Sequence, residues 1–367
     1  MLETNGSASL KKDTKMFDKL IIYYFTGTGN ALAVANWIAE ISVTKNIQVE
    51  INKITPSLQV DNKNFTENTL IGFCYPTHGF NAPPVVIDFL VRFPKSQNRV
   101  FLLNTRAGMK LSKLFTPGMS GLAQLFPALI LKLKGYKIVG MQPMDLPSNW
   151  ISVHPGLRQK VVDSIFQRCE RISKRFAEKI LSGKKVFKGL ISLPIDLLIS
   201  PISLAYYLLG RFALAKTFVA GNSCNGCSLC EKECPVHAIL MKNSRPFWTR
   251  KCESCMHCMN SCPRQTIQTP HLFVAVIWWL VFFIFPLFIL KELLNLNPGE
   301  ARFYNLIFDV VTIVTGFPII FFSYYILHFL MKYRFFNILI EYTSLTRFKF
   351  WRRYFAPKQY LGGTRKI

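Results

Sequence analysis

The sequence predicts a doubly wound parallel α/β sheet, a small α+β domain built on cysteines, and two C-terminal transmembrane helices. Three observations carry this prediction. Between residues 19 and 181, short apolar runs alternate with helical stretches, the pattern of parallel strands joined by crossover helices. The spacing Cys-x2-Cys-x2-Cys-x3-Cys-Pro occurs twice, starting at Cys224 and at Cys252. Two long apolar stretches follow, over residues 272–290 and 306–330.

Composition sets the bounds. A chain of 367 residues is long enough for two or three domains. Half of its residues are hydrophobic, 32 are Phe, and the mean hydropathy is positive. Such a chain is expected to hold membrane segments. Eight of the ten cysteines lie in the two runs, and Cys74 and Cys169 stand apart as plain core or surface thiols. No disulfide framework is suggested, so a reducing compartment fits. The net charge of +25 favours an anionic partner, either nucleic acid or a membrane surface. Residues 1–16 are polar, without the apolar core of a signal peptide, and are expected to form a flexible tail.

Residues 19–25 read as a buried parallel strand. Thr26-Gly27-Thr28-Gly29-Asn30 follows at once, and a helix opens at Ala31 with Leu32, Ala35, Trp37, Ile38 and Ile41 at helical spacing. A strand, a loop of small residues and a helix form a phosphate-binding arrangement, because free N–H groups at the helix start meet the anion. A purely structural βα turn gives the same pattern. The Gly-Lys-Ser/Thr of a Walker loop is missing, and Leu32 stands where the third Gly of a dinucleotide fingerprint would fall. Gln48–Lys53 reads as a second strand and residues 69–75 as a third, which opens into Pro76-Thr77-His78-Gly79-Phe80. A helix over 85–93 comes next. Residues 99–104 read as a fourth strand ending in the loop Asn104-Thr105-Arg106-Ala107-Gly108, and residues 136–141 as a fifth. Gln159–Leu181 is a long, basic, amphipathic helix. Ligands of such sheets sit beyond the carboxyl ends of the strands, so residues 26–31, 76–80 and 104–108 are the candidate site.

Thiolates are soft ligands that suit iron–sulfur clusters, and this spacing is the bacterial two-cluster form, in which the fourth Cys reaches across to the other cluster. Cys224, Cys227, Cys230 and Cys262 are therefore assigned to one [4Fe–4S] cluster. Cys252, Cys255, Cys258 and Cys234 are assigned to the other. Structural zinc sites would instead use two separated pairs of ligands.

The apolar connector over residues 184–216 is cut by Pro194 and Pro201 and contains Asp196. It reads as two short helices that pack on the domains or lie in a membrane interface, not as a span. Residues 272–290 carry no charge and reach about 28 Å as a helix, close to a hydrocarbon core. Residues 306–330 complete a hairpin within 271–332, with Asp309 near its outer end. Basic residues flank both spans, before the first and along the tail 333–367. The positive-inside rule then puts both termini and the redox domains in the cytoplasm, at the cytoplasmic membrane. Anionic lipid accounts for the charge, and no nucleic-acid reading motif is present.

These residues carry a resemblance. Residues 17–183 look like a flavodoxin-type domain, with Thr-Gly-Thr-Gly-Asn matching its FMN-phosphate loop. The cysteine runs, over 217–268, resemble a bacterial two-cluster ferredoxin. The whole order is similar to the EFR1-type flavodoxin–ferredoxin fusion family, down to Pro76…Gly79-Phe80 and Met144…Pro147-Ser148-Asn149. The resemblance implies two [4Fe–4S] clusters and FMN, the latter held by Thr26, Gly27, Thr28, Gly29, Asn30, Ala31, Pro76, Thr77, His78, Gly79, Phe80, Asn104, Thr105, Arg106, Ala107 and Gly108. Two features depart from it. Ala31 stands where flavodoxin loops carry Thr, and the third loop offers no aromatic ring. Arg106 is open to pairing with phosphate or a flavin carbonyl, or is a solvated charge. His78 meets the flavin edge or faces solvent.

The leading expectation is a membrane-anchored electron-transfer protein that serves an unidentified redox protein partner. One alternative is a membrane-bound oxidoreductase that reduces a quinone or small acceptor. The other is a flavin-less docking platform for the ferredoxin module. No acid–base pair or nucleophile triad lies beside the loops, and no catalytic residue is assigned.

Overall fold

The computed structural model describes residues 16–297 and 303–361. The predicted tail thus lies almost wholly outside the described residues. The first domain is a parallel sheet built from β1 (Lys19–Tyr24), β2 (Gln48–Lys53), β3 (Thr69–Pro76), β4 (Arg99–Leu111), β6 (Lys137–Pro147) and β7 (Val186–Phe187), in the order β2-β1-β3-β4-β6-β7. Short β5 (Leu114–Thr116) hangs antiparallel on β4. The first five parallel strands follow the flavodoxin-like order 2-1-3-4-5, whose ligand crevice lies where the order reverses, beside β1 and β3. Every residue of β3 is buried, as a central strand covered on both faces requires. Helix α1 (Asn30–Thr44) packs against α4 (Gln159–Leu181) on one face, and α2 (Pro84–Arg92) against α3 (Leu122–Leu133) on the other.

One expectation is corrected. The sequence reading closes β4 at residue 104 and makes 104–108 a loop. The strand instead continues, pairing Asn104 with Pro143 and, in register, Gly108 with Pro147. Two features allow this. Arg106 is neutralised by Asp145 across the ladder at 2.6 Å. At Gly108 a Cβ would come within 2.3 Å of the Asp145 carbonyl oxygen, so the strands approach only because it is glycine. Helix α3, with Pro127 inside it, has no counterpart in the sequence reading.

The second domain is small. Ile239–Lys242 and Arg245–Trp248 form a hairpin, and Val219–Ala220 pairs with Ile267–Gln268. The hairpin turns through Asn243 and Ser244, both at positive φ, the twist that a two-residue turn demands. Ser228 and Met256 occupy equivalent places in the two cysteine runs. Each has φ near 59° and precedes a short helix.

Two helices, His271–Leu293 and Tyr304–Leu330, are long and apolar enough to cross a membrane. Val281 approaches the bare Cα of Gly316, where a Cβ would stand only 2.8 Å from it. Such a small-residue contact lets apolar helices close on each other. The connector is a pair of helices, Lys188–Leu198 and Ser200–Ala215, bent by 79°. Its Asp196 is buried and accepts hydrogen bonds from the Ser120 and Gly121 amides and the Ser192 hydroxyl, which seats the connector on the first domain.

The segment read from sequence as a basic tail is not free. After the helix Arg334–Tyr342 it runs back across both domains to Leu361. Trp351, Tyr354, Ala356 and Leu361 are buried. The Trp351 indole N–H donates to the Ile151 carbonyl, and Tyr360 stacks on Phe166 with ring centres 5.1 Å apart. Its apolar and aromatic side chains supply the burial that its charges mask in a composition count.

Candidate redox site

The eight run cysteines fall into two neighbourhoods, and their proximities match the crossed assignment expected from the spacing. Cys230 lies within electrostatic range of Cys224, Cys262 and Cys227, and those four line one cavity. Cys258 lies within range of Cys252, Cys255 and Cys234. The sets differ in exposure. Cys227 is exposed and Cys224, Cys230 and Cys262 are half-buried, so the first set is open to solvent. Cys234, Cys255 and Cys258 are buried, so the second set is internal. Backbone amides point at its sulfurs: Ala238 N–H donates to Cys234 Sγ at 3.2 Å and Ser254 N–H to Cys252 Sγ at 3.5 Å. Such bonds stabilise the negative charge of ligated sulfur and tune a cluster's potential.

The internal set abuts the loop after β1. Gly27 meets the Cys255 carbonyl so closely that a Cβ would lie 2.0 Å from its oxygen. Asn149 Nδ2 donates to the same carbonyl at 3.2 Å. His257 Nδ1 lies 2.7 Å from the Gly27 carbonyl oxygen. Between Cys252 and Ser254, Glu253 accepts from the Val85 amide at the start of α2, and burial pushes its carboxyl up to about 8. Gly27, Asn149 and Cys255 each lie in a segment that the resemblance singles out, but no sequence pattern pairs them across the domains.

The loop itself is built as a cradle. Thr26 Oγ1 accepts from Gly29 N–H, and Gly29 takes φ 99° at the N-cap of α1, a conformation that favours glycine. The positive end of α1 therefore faces the loop. Asn30 is spent on the protein: Nδ2 donates to the Pro147 carbonyl, and Oδ1 accepts from the Tyr354 hydroxyl. Ala31 is fully buried. Gly27, Thr28, Gly29 and Asn30 are all buried, and Ala356 N–H donates to the Thr28 carbonyl. The returning C-terminal segment and the Cys255 turn thus roof the loop.

In the second loop, Pro76 ends β3, and Thr77 N–H donates to the Thr105 carbonyl. His78 is buried, not solvent-facing; burial pulls its imidazole down to about 4, so the ring is neutral. Gly79 has φ 53° and carries the Tyr206 ring of the connector against it. Phe80 offers its carbonyl to the Ser203 hydroxyl and the Leu122 amide. Asn104 Nδ2 bridges Thr77 Oγ1 and Ser120 Oγ. Arg106 is committed to Asp145 and Ser120 and not to a loop ligand. Thr105 is buried in the sheet and Ala107 is exposed.

Several buried polar atoms here have no protein partner: Thr28 Oγ1, both His78 ring nitrogens, Trp150 Nε1 and the Tyr206 hydroxyl. The three rings are neighbours, with centres 6.4 Å apart for His78–Trp150 and 5.6 Å for Trp150–Tyr206. Buried polar groups without partners carry a desolvation cost that a polar ligand relieves. The donor set, the glycine cradle and the helix terminus fit a flavin mononucleotide.

A model of the 4Fe-4S dicluster domain family matches residues 223–267. No curated protein matches the chain. Among solved structures, the chain is similar to an archaeal flavodoxin at 17% identity, covering 44% of this chain and 98% of that one, with a TM-score of 0.30. Flavodoxin 1 of Bacillus cereus matches at 16%, over 44% and 97%, with a TM-score of 0.30. The flavodoxin of Megasphaera elsdenii matches at 16%, over 43% and 98%, with a TM-score of 0.29. The chain joins a flavodoxin-like domain to a two-cluster ferredoxin domain. The first half of that statement rests on strand order and the Thr-Gly-Thr-Gly-Asn loop, and the second on the cysteines. The dicluster match makes residues 223–267 an iron–sulfur module whose chemistry is one-electron transfer.

Proposed function

We propose that this chain is a membrane-anchored electron-transfer protein of the flavodoxin–ferredoxin fusion type, serving a soluble redox partner on the cytoplasmic face. The observation that carries the reading is the Cys255 carbonyl against Gly27, which joins the internal cysteine set directly to the phosphate loop. Bound clusters exchange electrons one at a time, and a bound flavin exchanges one or two. Cys224, Cys227, Cys230 and Cys262 would hold the outer cluster at an open surface where a partner can dock. Cys234, Cys252, Cys255 and Cys258 would hold the inner one in a buried place, with Asn149 and His257 fixing it against the flavodoxin-like domain. Thr26–Asn30 would take the flavin phosphate, and His78, Trp150 and Tyr206 would border the ring. The two apolar helices anchor the chain, and basic flanks hold the redox domains on the cytoplasmic side.

A second reading has its own support. The roof of Ala356 and Leu361 over Gly29, together with Ala31 in place of a hydroxyl residue, suits a flavodoxin-like platform that holds the ferredoxin module without flavin. Iron, acid-labile sulfide and released flavin, counted per chain on anaerobically purified protein, separate the two. About eight iron, eight sulfide and one FMN support electron transfer through all three centres. Eight iron with no flavin, persisting after reconstitution with FMN, supports the platform.

A further inference from the structure

Helix Tyr304–Leu330 meets the ferredoxin domain through cations laid on aromatic rings. Lys216 Nζ stands 4.4 Å from the ring centre of Tyr324 and 4.9 Å from that of Phe247. Lys242 Nζ stands 4.0 Å from Phe247, and the Arg250 guanidinium 5.1 Å from Phe321. Lys216 also donates to the Trp248 carbonyl. Among the described residues none of these three cations has an acidic partner. Beside Arg250 the surface opens into a cavity of about 340 Å³, walled by Phe212 of the connector and by Phe317, Pro318 and Phe321 of the apolar helix. One exposed cation, Arg250, thus edges an apolar wall that continues along a membrane-length helix, with Lys216 buried and Lys242 exposed on the ferredoxin side.

We infer that this groove binds one anionic phospholipid, with its phosphate on Arg250 and an acyl chain along Phe317 and Pro318. The inference rests on the membrane reading above. Charge decides the class of lipid. A guanidinium pairs strongly with a phosphate, and its neighbours Lys216 and Lys242 repel the second, cationic group of a choline or ethanolamine headgroup. A quinone would offer these cations only neutral carbonyls. Arg250 stands two residues before Cys252, so the lipid would hold the loop that carries the inner cluster's first ligand.

The test uses the full chain with its clusters in uncharged detergent. Native mass spectrometry would follow titration with dioleoyl phosphatidylglycerol or dioleoyl phosphatidylcholine. One phosphatidylglycerol should be retained at about tenfold lower concentration than phosphatidylcholine. Arg250→Gln should weaken retention of phosphatidylglycerol and diminish that preference, by removing one of three cations, with iron content unchanged, since Arg250 is exposed. Lys349→Gln, an exposed basic residue on the tail, should keep it. Equal binding of the two lipids, or an undiminished preference in Arg250→Gln, overturns the inference. So does displacement of phosphatidylglycerol by millimolar glycerol 3-phosphate, which would mark a free-phosphate site, or by decylubiquinone. Alkaline carbonate extraction tells this failure from that of the membrane reading. A chain released from membranes removes both, whereas a retained chain without lipid preference removes only the groove.

Discussion

Replacing Asp196 tests where the connector lies. The carboxylate is buried and accepts from Ser120 N–H at 3.0 Å, Gly121 N–H at 2.7 Å and Ser192 Oγ at 2.7 Å. Asp196→Ala strands two buried amides and a hydroxyl. Hydrogen bonds to a charged group contribute roughly 1.5–3 kcal/mol each, and with discounting for non-additivity the local loss is about 3 kcal/mol. Each 1.4 kcal/mol is tenfold in an opening equilibrium, so exchange of the amides at 120 and 121 should quicken about a hundredfold. Asp196→Asn keeps an acceptor and loses the charge, at a cost of about 1 kcal/mol, so exchange there should quicken roughly fivefold. Hydrogen–deuterium exchange read by mass spectrometry resolves this, with a peptide from β3 as an unchanged control. Equal exchange over residues 118–123 in the native chain and Asp196→Ala would refute the docking. The connector would then lie elsewhere. Its helix pair is apolar enough to form a broken span, which would put the two redox domains on opposite sides of a membrane.

Cys262→Ala should remove the cluster of Cys224, Cys227 and Cys230 and leave about four iron per chain; loss of the other cluster instead would overturn the crossed ligation. Arg353→Met deprives the carbonyls of Met259, Gln265 and Ile267 of a shared donor. It should loosen the C-terminal segment by about 3 kcal/mol and speed tryptic cleavage at Lys358 roughly a hundredfold, and unchanged cleavage would contradict the packing. His78 is held near 4 by burial, against 6.5 when unfolded. The unfolded chain therefore takes its proton first as pH falls: the stability is whole above pH 6.5 and declines toward pH 4, by about 2 kcal/mol at pH 5. His78→Gln should flatten that part of the thermal-midpoint profile, and an equally steep profile would mean that the ring is not buried neutral.

What could be read in advance follows from which contacts are local. The strands β1 to β3, helix α4 and all eight cluster cysteines are encoded by short-range pattern: apolar runs, helical spacing, a fixed ligand interval. The end of β4 is not, because whether Thr105–Gly108 loops out or pairs depends on Asp145, 39 residues from Arg106, arriving to neutralise it. Asp196 looked like an interruption of an apolar segment, yet it is the residue that attaches that segment to the Ser120–Gly121 turn. The glycines of the Thr-Gly-Thr-Gly-Asn loop point to an anion cradle from sequence alone. That the same glycines also admit the Cys255 carbonyl and the Ala356–Leu361 cover is visible only once the remote segments are in place.

The net charge shows the same limit more sharply. From sequence, a surplus of +25 is assigned to anionic lipid as one diffuse quantity. Part of it is spent inside the protein on neutral acceptors. Arg353 gathers carbonyls from the end of the ferredoxin domain, Arg245 donates to the Ala220 and Gly221 carbonyls, and Lys216 to that of Trp248. A domain with only two short strand pairs leaves many carbonyls outside a ladder, and long cationic side chains satisfy them. These contacts need no acidic partner, so they keep the positive charge uncompensated while using the donors. The cysteine sets would each hold an anionic assembly of thiolates and cluster, and such a charge near Arg353 and Lys216 is stabilised by them in turn. The basic composition therefore helps to close a ladder-poor fold and would surround bound clusters with positive potential, and only the exposed remainder is available to the membrane reading proposed above.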